Sequence, residues 1–445
     1  MNKSLSRNTL FTASTSGITL VFGVLQFSIL SRQLTLEEFG SVGLALTVSA
    51  LLGLLPNYGL EMFVIKQLVQ GKDILRKAYA SILCIKVIFS IISLLAMYWY
   101  VHQSSLDLDV FSFMLFACAA TCLSFVTFFN SVNKASQDFH VETYVTFIQN
   151  FIQLAGLFAL SLILNLGVRD VAWIWLISRL AGLGLSVFAF QRSPYGFSVS
   201  DPFFQSLSFE QVKDVLRSAF PFAVAAIFGA LYFSVDTLIV AALSSIAEVG
   251  LYQASIRLIT PLMVIPTLFM TAFFPRIVAE ASSEPAFLPG KTTGTSNLLV
   301  HILLFVGVAM MLILIVTSPF IIDLIYGKQM AATVAVFAVL CLMLPIRYLA
   351  SGYGLILVSN DYQKIQTLGA ILALVVNVVL SFLLIPKLGV IGAAIANVAT
   401  NIAILTLYLV VVRVKLGTTF LSGLGSSYMT LMATTRRILK TRFGN

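Results

Sequence analysis

Twelve stretches of this 445-residue chain are apolar for about twenty residues at a time, the length an α-helix needs to cross a hydrocarbon core about 30 Å thick. They cover residues 9–30, 39–60, 79–101, 111–131, 143–164 and 171–190, then 220–243, 251–274, 298–321, 330–353, 367–385 and 390–412. No water in such a core can bond a free backbone amide, so each stretch is expected to be helical. The pattern predicts an all-α integral membrane protein of about 12 transmembrane helices. Composition agrees: at 59% hydrophobic and 10% charged residues, the chain has too little polar surface to cover a soluble body of its size.

Charge gives the expected orientation. Lys3, Arg7, Lys66, Arg76, Lys134, Arg192, Lys213, Arg276 and Lys364 fall on one side, whereas the other receives only Arg32, Arg169, Lys328 and Lys387. Cytoplasmic loops are the ones enriched in Lys and Arg, so both termini are expected to be cytoplasmic. The net charge of +9 is then a matter of topology, together with the tail residues Arg436, Arg437, Lys440 and Arg442, and no nucleic-acid partner is expected. The run after Lys3 and Arg7 is too long for a signal-peptide core and has no A-x-A cleavage site, so it reads as a retained first helix.

The four cysteines lie in apolar runs without CxxC spacing, and His102, His140 and His301 are scattered. Neither a metal site nor a cofactor is indicated. The loops are too short for a soluble catalytic domain.

The halves echo each other. An offset of 210 residues lays Glu38-Phe39-Gly40 on Glu248-Val249-Gly250, each in a turn between the first two helices of its half, and lays Gln26 on Asp236. Internal repeats of this kind build many transporters. The expected division is an N-terminal six-helix lobe over residues 1–214, a C-terminal one over 215–412, and a basic cytoplasmic tail over 413–445. A linker containing Pro194 and Pro202 joins the lobes.

Four basic side chains, Lys86, Arg179, Arg257 and Arg347, lie in or beside the apolar runs, against one clearly intramembrane acid, Asp236. A charge at the bilayer centre costs about 2.5–3.5 kcal/mol on insertion scales, so such groups face a cavity or a partner. The positive surplus points to an anionic passenger. For Arg179 a cavity contact and a structural partnership are both open. Asp236 and Arg257 are expected at similar depth on adjacent antiparallel helices, as an ion pair; the alternative makes Asp236 an ion-sensitive switch and Arg257 a substrate contact. Lys86 has the choice of lining a cavity or snorkelling to headgroups. Arg347 is expected near the inner end of its helix, as a contact at the cytoplasmic mouth or an anchor. Glu61 is expected to pair with Lys66.

Several motifs carry a family resemblance. Arg32-Gln33-Leu34 through Phe39-Gly40 follows the R-x-L-x-x-x-x-F-G junction of polysaccharide exporters. Ser234-Val235-Asp236-Thr237, Val249-Gly250-Leu251-Tyr252-Gln253-Ala254 and Pro386-Lys387-Leu388-Gly389-Val390-Ile391-Gly392 agree with it. The chain resembles bacterial flippases of lipid-linked oligosaccharide repeat units, as in O-antigen export, within the multidrug, oligosaccharidyl-lipid and polysaccharide exporter superfamily.

That resemblance implies two six-helix lobes around a central cavity in the bacterial inner membrane. It also implies an undecaprenyl-pyrophosphate-linked glycan as substrate, moved to the periplasmic leaflet without enzymatic chemistry. Arg179, Arg257, Lys86 and Arg347 would then be its pyrophosphate and cavity contacts, and a polysaccharide polymerase and a chain-length regulator its partners. Related lipid II flippases often carry fourteen helices, so a count of twelve points to the O-antigen-like branch. A drug extruder of the same fold would line its cavity with acids. A membrane glycan polymerase or glycosyltransferase would show a large external loop.

Overall fold

The computed structural model describes residues 3–70, 74–193, 208–283 and 294–416. The basic tail residues 436–442 and the Pro194–Pro202 linker lie outside the described residues. In chain order the helices are α1 (Lys3–Gln33), α2 (Leu36–Leu52), α3 (Leu54–Asn57), α4 (Leu60–Val69), α5 (Ile74–Gln103), α6 (Val110–Ala135), α7 (Phe139–Ile163) and α8 (Val168–Gln191). They continue with α9 (Phe209–Leu243), α10 (Ile246–Ile259), α11 (Val264–Ser283), α12 (Gly294–Tyr326), α13 (Thr333–Cys341), α14 (Met343–Ser359), α15 (Gln363–Leu388) and α16 (Val390–Leu416). Among the described residues there is no strand, and 12 spans are long and apolar enough to cross a membrane.

Two of these spans have pronounced breaks, and a third pauses at Leu342 between α13 and α14. The span over Leu36–Val69 breaks where Tyr58 and Gly59 take positive φ angles of 40° and 65°, ending α3 and restarting the helix as α4. The span over Ile246–Ala279 tightens into a 3-10 turn at Thr260–Met263, where Pro261 has no amide hydrogen to continue the α-helical ladder. Backbone freed inside a membrane needs partners from neighbouring helices. At the first break the Lys86 ammonium reaches the Pro56 carbonyl at 2.9 Å, and at the second the Tyr348 hydroxyl donates to the Leu262 carbonyl at 2.7 Å.

The described helices form two compact units, Met1–Gln253 with Asp323–Met330, and Ala254–Ile322 with Ala331–Asn445. In the first unit, α1 lies along α7, α6 along α8, and α9 against α2, α4 and α5. The unit extends past residue 214 because Val215 and Ala219 of α9 share one apolar core with Leu60 and Phe63 of α4, Tyr79 of α5, Phe128 of α6 and Phe190 of α8. In the second, α15 presents Gly369, Ala373, Asn377, Ser381 and Ile385 at every fourth position as its buried face. The α15–α16 turn is tight enough that a Cβ on Gly392 would lie 2.6 Å from the Leu384 carbonyl, which accounts for the small residues of that motif.

The 210-residue repeat is visible in the helix caps. Thr35 caps α2 by accepting from the Glu38 amide at 3.3 Å, with the Glu38 carboxylate returning to the Thr35 amide at 2.9 Å. Ser245 accepts from the Glu248 amide at 3.3 Å in the same way. Gly40 then packs directly on Gly250 and on the Ile246 carbonyl, leaving no room for a Cβ at either glycine. Gln253 continues the crossing with hydrogen bonds to Thr47 at 2.9 Å and Thr237 at 3.0 Å. The Arg32 guanidinium meanwhile donates to the Leu324 carbonyl at 2.6 Å, covering the C-terminal end of α12 where cations are favoured. Arg32 is thus a helix cap.

Candidate functional site

A buried polar cluster of the first unit joins α1, α7 and α8. The middle of α7 carries three amide side chains, Gln149, Asn150 and Gln153, all at most 8% exposed. The Gln26 amide of α1 donates to the Asn150 carbonyl and to the Gln153 side-chain oxygen, both at 3.2 Å. Gln153 in turn donates to the Ser178 hydroxyl on α8 at 2.9 Å. Buried amides in a low-dielectric interior are costly unless paired, and this chain of donors and acceptors pairs Gln26 with Gln153.

Arg179 lies one residue beyond, well inside its span Val168–Gln191. Its Nη1 donates to Gln149 Oε1 at 2.9 Å. Gly182 leaves the space this contact needs, because a Cβ there would overlap the Gln149 amide. Cys122 of α6 is the titratable neighbour, and among the described residues no carboxylate lies within ion-pair distance of Arg179. A half-buried guanidinium with a neutral partner presents an uncompensated positive charge and spare donors.

The other basic residues have different settings. Lys86 is fully buried; besides Pro56 it donates to the Ser124 hydroxyl at 2.7 Å and lies 5.4 and 5.7 Å from the Phe125 and Phe128 ring centroids. Its head is turned into the protein and does not snorkel to headgroups. Asp236, also buried, accepts from the Tyr252 hydroxyl at 2.6 Å. Arg257 belongs to the second unit, in the last turn of α10. Arg347 donates to Asn401 at 3.2 Å. It sits mid-span rather than near an inner end, because the helix runs on through Gly352 and Gly354 to Ser359.

Glu61 pairs with Lys134 of α6 at 3.1 Å, not with Lys66, and Lys134 also holds Glu142 of α7 at 2.7 Å. Lys66 lies 5.9 Å from the Phe222 ring centroid. Among the described residues no three His, Cys, Asp or Glu side chains converge as metal ligands.

Residues 5–280 match the profile of the family described as polysaccharide biosynthesis protein. Among curated proteins none matches the sequence. In fold, the chain is similar to the lipid II flippase MurJ in its inward closed conformation, with a TM-score of 0.70 at 16% identity over 98% of this chain and 94% of that one. It is also similar to an inward-facing multidrug resistance MATE family transporter of the MOP superfamily, with a TM-score of 0.64 at 13% identity over 90% of this chain and 94% of that one. A MOP superfamily transporter from Pyrococcus furiosus, described as having a binding pocket of reverse polarity that suggests a different function, aligns with a TM-score of 0.55 at 14% identity over 93% and 96% of the two chains.

Proposed function

Because the chain belongs to the polysaccharide biosynthesis protein family, we propose that it is a flippase for an undecaprenyl-pyrophosphate-linked oligosaccharide, such as an O-antigen repeat unit. It carries this substrate from the cytoplasmic to the periplasmic leaflet of the bacterial inner membrane by alternating access between two six-helix halves. Physical need supports the reading: a glycan cannot shed its hydration in hydrocarbon, so its sugars require a polar path while the polyprenyl tail stays in lipid. The observation that carries it is Arg179, a guanidinium inside a membrane span held by an amide instead of an acid. Such a group suits a pyrophosphate, whose oxygens accept paired charge-assisted hydrogen bonds.

Arg257 and Arg347 serve in this reading as further phosphate contacts. Lys86 contributes through the broken helix it supports. A polysaccharide polymerase and a chain-length regulator are its partners in this reading. The fold likeness to a MATE transporter favours a second reading, extrusion of cationic drugs, but a positive site opposes it. The Pyrococcus furiosus transporter, described as having reverse pocket polarity, is a precedent for charge as the discriminator.

The test is Arg179→Ala in the native host, compared with a gene deletion. The expected result is loss of surface glycan and accumulation of undecaprenyl-linked units at normal membrane abundance of the variant. Normal surface glycan in the deletion strain overturns the function; normal glycan in the variant alone overturns the role of Arg179.

A further inference from the structure

Among the described residues, Gln149 is the one side chain that holds the Arg179 guanidinium by a hydrogen bond, and it does so with half of its amide. Its Oε1 accepts from Arg179, while its Nε2, in a residue 2% exposed, has no partner among the described residues. The amide cannot simply turn over to improve this, because its NH2 would then face the guanidinium, donor against donor. A buried donor left without an acceptor is costly, and native structures keep few of them. A glutamate at this position would remove the orphan donor, neutralise Arg179 and occupy nearly the same volume. On stability alone it is the better residue.

We propose that Gln149 sets the charge preference of the site: its neutrality keeps Arg179 an uncompensated cation, so that the guanidinium takes a phosphoryl group. Gly182 belongs to the same device, since any side chain there displaces the amide. The inference rests on the flippase reading and names the residue that makes the site select an anion over the corresponding alcohol.

The test uses the full chain in zwitterionic phosphatidylcholine nanodiscs, titrated with undecaprenyl pyrophosphate and separately with undecaprenol. Tryptophan fluorescence is the readout, since Trp175 stands one helical turn before Arg179. The wild type is expected to respond saturably to the pyrophosphate and not to the alcohol. Gln149→Glu is expected to weaken pyrophosphate binding by about tenfold or more, the worth of a charge-assisted contact, while melting at or above the wild-type temperature. Gln149→Met, neutral and of similar size, is expected to stay within about threefold of wild type.

Three results overturn the proposal: Gln149→Glu binding like wild type, Gln149→Met losing as much as Gln149→Glu, or Gln149→Glu melting below Gln149→Met or failing to fold. A wild type that does not distinguish pyrophosphate from alcohol overturns the flippase reading itself, which separates the two failures.

Discussion

Removing the Ser124 hydroxyl tests how a fully buried ammonium is tolerated in this fold. Lys86 is 0% exposed and has two hydrogen bonds, to Pro56 at 2.9 Å and to Ser124 at 2.7 Å. Ser124→Ala leaves the charge where it is, so the desolvation cost of the ammonium is the same in both proteins and drops out of the difference. What remains is the loss of one hydrogen bond to a charged donor, worth about 1.5–3 kcal/mol, with a small cavity. In a Lys86→Met background that interaction is already gone, and Ser124→Ala should cost no more than about 0.5 kcal/mol.

The predicted coupling from the double-mutant cycle is therefore about 1.5–2.5 kcal/mol, measured by denaturant titration of the purified protein in mixed micelles. Equal costs of Ser124→Ala in the two backgrounds would refute the reasoning, because the ammonium would then be satisfied by something other than Ser124. The cycle also probes the broken span, since the second partner of Lys86 is the carbonyl in the last turn of α3, where a cation complements the helix end.

Two further outcomes follow from the ionic contacts. Lys134→Met leaves Glu61 and Glu142 facing each other without their shared cation, and should lower the melting temperature more than Glu61→Gln, which keeps the 2.7 Å Lys134–Glu142 pair; the reverse order refutes the three-residue arrangement. The Asp109 carboxyl is held down to about 2, first by its hydrogen bond from Arg169. A depressed carboxyl stabilises the fold above its ordinary value near 4 and loses that contribution as pH falls toward 2. Asp109→Asn should thus melt slightly lower than wild type at pH 6 and converge with it near pH 2–3, the gap being small because water screens so exposed a pair; a gap that persists at low pH rules out the ionic cause.

The twelve spans were legible because length and hydropathy alone decide whether a segment can live in hydrocarbon. Partners were not, because a helix that is apolar nearly all round does not declare which face turns inward. Glu61 shows this: spacing suggested Lys66, five residues on, whereas the actual partner is 73 residues away on α6. Arg347 was placed too near an end because the apolar run was ended at residue 353, whereas the helix continues to Ser359. The partner of Arg179 has a signal in the sequence, carried by amides and not by full charges. Gln149, Asn150 and Gln153 cluster in the middle of α7, and buried amides inside a membrane span need a reason. The break at Tyr58-Gly59 was similarly announced by Pro56-Asn57, turn formers in the middle of an apolar run.

The repeat explains why one crossing can be built without large side chains. Residues related by the 210 offset are Thr35 and Ser245, Glu38 and Glu248, Gly40 and Gly250, and it is the last of these that touch each other. Two equivalent glycines packed on each other set like against like, as in a self-complementary interface. At such a point each side chain is met by its own counterpart, so steric demand is doubled and glycine in both copies is the economical solution. The caps then acquire a purpose beyond closing a helix end: because Thr35 and Ser245 fix where α2 and α10 begin, each glycine falls five residues later at the same height. A cap lost in one half would shift one glycine and not the other, and the close approach requires both.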